Sequence, residues 1–213
     1  VAIPITVFVV MTLRPNTPKA DSGSGAVRGQ AGDLWADVVI GKRDFTEIWS
    51  GLITPQRLTA PGGAVVDRDT AGSTKGKLWL WSGIENRIIG VNLDNCPPTS
   101  VDCTAVKVIG QPSLTDYGAC NGDFSFQFYP NRVPASASTL CGVDESVNST
   151  AENLSYVGMY TKNGNLYVPD MANHRVLIFY DPWSTDSVAD ELIGQDDFSG
   201  NLCNKSLVGG IAP

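Results

Sequence analysis

Two segments of this chain align without gaps: GKLWLWSGIENRIIGV, beginning at Gly76, and GNLYVPDMANHRVLIF, beginning at Gly164. The alignment sets Leu78 with Leu166, Trp79 with Tyr167, Arg87 with Arg175 and Ile88 with Val176. An internal repeat constrains the fold more than composition does, because each unit must adopt one supersecondary form and bury its faces against its neighbours. A second repeated block reinforces the period. DVVIGKRDFT from Asp37, VKVIGQPSLT from Val106 and DELIGQDDFS from Asp190 share an apolar residue before Ile-Gly, then polar residues, an apolar or aromatic residue and a hydroxyl residue.

Every repeated piece has strand character: short, rich in β-branched or aromatic residues, and bounded by Gly, Asn, Asp or Pro. One unit holds four such pieces, GGAVVD, KLWLW, NRIIGV and AVKVIG; the next holds LSYVGMY, NLYVP, HRVLIFY and DELIG. A recurring four-stranded antiparallel unit is the signature of a β-propeller blade. The predicted fold is therefore all-β, a β-propeller fragment of about two complete four-stranded blades. Three regions follow: an apolar segment over 1–13, a tether rich in Pro, Ser and Gly over 14–34, and the partial propeller over 35–213.

The second hairpin resembles the NHL-repeat signature, roughly G-x-L-Y-V-A-D-x-x-N-H/N-R-V/I-x-x-F, through Gly164, Leu166, Tyr167, Val168, Asp170, Asn173, His174, Arg175, Val176 and Phe179. The first is a weaker copy that keeps Gly76, Leu78, Asn86 and Arg87 but has Ser82 in place of Asp and Glu85 in place of Asn. The Ile-Gly blocks resemble the last strand and following turn of blades in secreted bacterial proteins of this family. The resemblance spans about Trp35 to Phe198 and implies an NHL-like propeller scaffold, without itself implying a reaction. In this motif Asp170, Asn173, His174 and Arg175, with Asn86 and Arg87, tie each hairpin to its surroundings through hydrogen bonds and a carboxylate-guanidinium pair.

The units recur at 88 residues, from Gly76 to Gly164, and at 84, from Gly110 to Gly194. Simple blades take about 40 to 45 residues, so long loops are inserted. Most of the excess lies between Gly110 and Leu154, with a shorter insertion from Lys42 to Pro61. Such loops emerge on one rim of a propeller and carry its contacts. Cysteine placement fits two staples on surface loops, Cys96 with Cys103 around PPTSVD and Cys120 with Cys141 within the longer insertion, against an alternative of buried free thiols. N-x-S/T sequons at Asn148, Asn153 and Asn204 make glycans an expectation, and with the cysteines they favour an extracytoplasmic location, whether secreted, periplasmic or cell-surface. The aromatic run containing Phe124, Phe126 and Phe128 is a candidate contact surface for protein or glycan, with packing between blades as the competing reading.

The opening VAIPITVFVVMTL is too short for the ~20 apolar residues of a spanning helix. It reads as a truncated membrane anchor or signal-like segment, or as a strand, with Pro4 and its β-branched residues weighing against a soluble helix. A membrane tether through the N-terminus is thus expected. Net charge is −7, so the chain lacks the positive field that collects phosphate backbones, and nucleic acid is excluded as an expected partner. A single histidine, His174, excludes any site needing two imidazoles from this chain, including most catalytic zinc sites. DRDTAGSTKG from Asp67 contains a D-x-D-x-x-G fragment suggestive of calcium, yet it lacks the later bidentate Glu and reads better as a hairpin turn.

The expected function is a non-enzymatic extracytoplasmic β-propeller scaffold mediating protein-protein contacts. Its partners are other protein subunits, in a cell-surface, filamentous or membrane-associated assembly, with no catalytic residue and no cofactor. The alternative is a small-ligand, hydrolase-type or lyase-type propeller with a central calcium site. At ~45 residues per blade the chain would suffice for four or five blades, but its repeats supply two, so it reads as an open arc. Cys203 stands 9 residues after Gly194, as Cys120 stands 10 after Gly110, and its counterpart of Cys141 is expected beyond Pro213.

Overall fold

The computed structural model describes residues 36, 38–42, 45–46, 53–58, 61–68, 76–83, 85–96, 103–116, 120–122, 134–142 and 158–202. Among the described residues eight strands form two four-stranded antiparallel sheets, each a simple meander in chain order. The first sheet contains β1 (Pro61–Val66), β2 (Lys77–Ser82), β3 (Arg87–Asn92) and β4 (Ala105–Ile109). The second contains β5 (Tyr160–Lys162), β6 (Asn165–Asp170), β7 (Arg175–Phe179) and β8 (Glu191–Ile193). No closed propeller is formed among the described residues; the repeats give two blade-like sheets.

Strand order follows directly from the sequence pattern. The LWLW run of β2 is buried on both faces, as expected of an inner strand between two covered layers. In β6 the alternation is strict, with Leu166, Val168 and Asp170 buried and Asn165, Tyr167 and Pro169 partly exposed. Strand bounds agree with the sequence reading to within a residue for most elements. The fifth strand is the exception: it forms at Tyr160–Lys162, at the end of the LSYVGMY piece and beyond it. Pairing explains the shift, because Lys162 must oppose Asn165 across the tight Asn163-Gly164 turn, whose two residues both take positive φ, 53° and 85°.

Two apolar layers hold the sheets. Trp79, Trp81, Ile88 and Ile109 from the first sheet pack with Leu166, Val168, Leu177 and Phe179 from the second, with Leu140 and Met159 between. Trp183 meets Trp79 edge to face at 5.5 Å. Burying aliphatic or aromatic side chains of this size contributes about 1.5–3 kcal/mol each. The other face of the first sheet, built on Leu78, Leu80, Ile89 and Val91, is covered by Leu58 with Val38 and Ile40 and is bordered by the Cys96–Cys103 disulfide.

The second disulfide joins Cys120 to Cys141, Cα atoms 4.4 Å apart, as the spacing suggested. Cys203, the N-terminal segment 1–13, the tether, Asn148, Asn153, Asn204, Phe124, Phe126 and Phe128 lie outside the described residues. No helix among the described residues is long and apolar enough to cross a membrane.

Candidate functional site

The motif residues converge where each β-hairpin turns, at Gly83–Asn86 and at Met171–His174. In the second sheet Arg175 is the hub. Its Nε donates to Asp170 Oδ2 at 2.7 Å, Nη1 donates to the Phe198 carbonyl, and Nη2 donates to the carbonyls of Ser136 and Thr139 at 2.9 and 3.1 Å. Asp170 is fully buried and accepts two further bonds, from Asn173 Nδ2 and from the backbone N–H of Cys141. Burial pushes its carboxyl above the usual aspartate range, and the Arg175 guanidinium, the Asn173 amide and the Cys141 N–H pull it back.

Arg87 builds the same hub in the first sheet. Nε donates to Glu85 Oε2 at 2.9 Å, Nη1 to the Leu114 carbonyl and Nη2 to the Arg57 carbonyl at 3.2 Å. The carboxylate has changed places. By alignment Ser82 occupies the position of Asp170 and Glu85 that of Asn173, and the Ser82 hydroxyl donates to Glu85 as the Asn173 amide donates to Asp170. Acid and polar neighbour are exchanged, and the arginine finds its anion either way. The departure from the motif at these two positions therefore keeps the chemistry.

The Ile-Gly blocks complete each hub. Gln111 Nε2 donates to the carbonyls of Glu85 and Asn86, and Gln195 Nε2 donates to those of Asn173, His174 and Leu202. The glycines before them take φ of 92° at Gly110 and 107° at Gly194, a region costly for any Cβ. A Cβ at Gly110 would also meet the Asn86 carbonyl at 2.8 Å and one at Gly194 the His174 carbonyl at 2.8 Å. Gly41 repeats the device at φ 91°, packed against Leu58 as Gly110 is against Leu140. Asn86 and His174 share a left-handed backbone, φ 47° and 52°, which closes both turns. His174 contributes its backbone, while its imidazole is exposed.

Segment 134–142 is wedged between the two hairpin turns. Gly142 N–H donates to Asn86 Oδ1, Cys141 N–H to Asp170 Oδ1, and the Cys141 carbonyl accepts from Ala172 N–H. On its other side Ala189 N–H donates to the Ala137 carbonyl. Asn121, beside Cys120, exchanges two side-chain bonds with Asn173, at 3.0 and 2.8 Å. Nothing in the sequence distinguished Asn121 from other loop asparagines; its neighbouring cysteine was the one signal available.

Among the described residues no group of three or more His, Cys, Asp and Glu side chains is placed to hold a metal ion. Asp67, first residue of the calcium-like fragment, closes the β1–β2 connection: its N–H donates to the Lys77 carbonyl and its own carbonyl accepts from Gly76 N–H. Asp69 lies outside the described residues. The geometry thus defines an all-β repeat protein with two buried arginine hubs at its hairpin turns. No protein-family model matches this sequence, and no curated protein matches it.

Proposed function

We propose that this chain is a non-enzymatic, extracytoplasmic scaffold of NHL-like, propeller-type repeats that mediates contacts with other protein subunits. The observation that carries this reading is the fate of the polar motif residues. Asp170, Asn173 and Arg175, the group most suggestive of chemistry, are buried and bonded to backbone carbonyls, backbone amides and one another. Groups committed in this way hold loops and do not face a substrate. Two disulfides agree with an oxidising compartment. On this reading the long loops serve a cell-surface, filamentous or membrane-associated assembly, with a tether supplied by the N-terminal segment and glycans at the sequons.

Native mass spectrometry of the protein isolated from its source tests the reading. The expected result is a particle larger than one chain, insensitive to chelator. A monomer carrying stoichiometric calcium, with a melting temperature lowered by chelation, would sink it in favour of a ligand-binding or hydrolytic propeller. Intact mass before and after deglycosylation reads the occupancy of Asn148, Asn153 and Asn204.

A further inference from the structure

Asn121 acts as a strut on the second hub. It is buried, with a left-handed backbone at φ 59°. Its N–H donates to the Leu140 carbonyl, and its amide exchanges two bonds with the buried Asn173, which in turn donates to Asp170. The preceding residue, Cys120, is covalently joined to Cys141, whose N–H donates to Asp170 and whose carbonyl accepts from Ala172 N–H. One disulfide therefore fastens both the strut and segment 134–142 onto a single hairpin turn. The first hub is fastened otherwise. Glu85, aligned with Asn173, bonds to Ser82 and Arg87 of its own hairpin, and no cysteine lies in the insertion from Lys42 to Pro61 that supplies the Arg57 acceptor.

The two disulfides also differ in access. Cys96 and Cys103 are exposed by 8% and 4% and Cys141 not at all, whereas Cys120 is partly exposed. Thiol–disulfide exchange requires a thiolate to reach one of the two sulfurs, so among these four residues Cys120 is the one open to attack. We propose that the Cys120–Cys141 disulfide is a redox latch on the second hub, opened by an external dithiol and closed again by oxidation. This goes beyond the scaffold reading and does not depend on it. The dithiol's thiolate attacks Cys120 Sγ, the S–S bond breaks, and Cys141 Sγ departs with the electron pair and takes up a proton. The dithiol's second thiol then displaces Cys120 as a free thiol. Two electrons and two protons pass to the protein, and the dithiol leaves as its own disulfide. Opening frees Cys120–Gly122 from Cys141, 21 positions along the chain. Hydrogen bonds alone do not offset the entropy of ordering this short segment, so Asn121 leaves Asn173 and the Met171–His174 turn loosens.

Titration of the folded 213-residue chain with dithiothreitol, with thiols trapped by iodoacetamide and mapped by mass spectrometry, tests the proposal. Cys120 and Cys141 are expected to be reduced at concentrations that leave Cys96–Cys103 intact, with Cys120 alkylated before the buried Cys141. In that state hydrogen exchange of the Cys141, Ala172 and His174 amides should quicken about tenfold or more, while the Arg57 and Leu58 amides keep their protection. Reoxidation should restore the first set. Asn121→Ala should quicken the same amides with the disulfide intact, because it removes the strut without touching sulfur. Three results overturn the proposal: Cys96–Cys103 opens first, the turn keeps its protection after reduction, or both hubs lose protection together with the circular-dichroism signal. Native mass spectrometry of the source particle decides the scaffold reading separately, whichever way the latch behaves.

Discussion

Arg175 satisfies one buried carboxylate and three backbone carbonyls at once, so the cost of losing it depends on pH. In Arg175→Met the Asp170 carboxyl loses the cation that most lowers its pKa, and burial raises it further. Above the ordinary aspartate value the unfolded chain releases the proton, while the native state keeps it until the pH reaches the raised value and only then buries an unpaired charge. Stability then falls as pH rises through the window above the ordinary aspartate value. We expect a loss of about 3–5 kcal/mol near neutrality, shrinking toward pH 4, checked by urea denaturation at both pH values. Tyr180 offers a second titration. A hydrogen bond to Glu191, with desolvation and the charges of Glu191 and Asp190, pushes its phenol up to about 12. Ultraviolet titration should find the Tyr180 phenol keeping its proton beyond the ordinary tyrosine range, and Glu191→Ala should return it toward that range. The exchange of Ser82 and Glu85 marks the limit of sequence reading at this scale. The alignment exposed both departures, but only the meeting of two side chains at one guanidinium shows that they compensate.

At the scale of elements the repeat alignment carried far. Alternation and turn residues placed both β2–β3 and β6–β7 hairpins, because their strands are bounded by tight turns that one sequence window contains. The fifth strand was displaced because its limits depend on pairing with β6 and not on its own apolar run. The recurring Ile-Gly block was visible as a pattern, and its reason emerged only with backbone angles. Gly110→Ala should cost about 1–3 kcal/mol through the strained backbone alone, with more from contact against Leu140 and the Asn86 carbonyl. A lowered midpoint in thermal melts, with unchanged strand signal in circular dichroism at low temperature, is the expected outcome. Equivalence of Leu58 with Leu140, and of the Arg57 and Thr139 carbonyls as acceptors for the two hub arginines, escaped the alignment. The insertions before them differ in length, so no fixed period links them.

Across the whole molecule, the link between the sheets is as informative as the sheets. Segment 134–142 bonds to both hairpin turns, and Cys141 within it is covalently joined to Cys120, 21 residues earlier. Under the scaffold role proposed above, this has a mechanical meaning. Tension applied along the chain passes through the disulfide and not through the residues between its two cysteines. At about 3.3–3.6 Å per extended residue, the disulfide conceals about 70 Å of contour length. Single-molecule stretching should recover that length only after reductant is added, and an equal extension in both conditions would show that the staple carries no load. If the proposed scaffold is anchored at both ends, its sheets yield one at a time under load while the chain closed by the disulfide keeps its length in reserve.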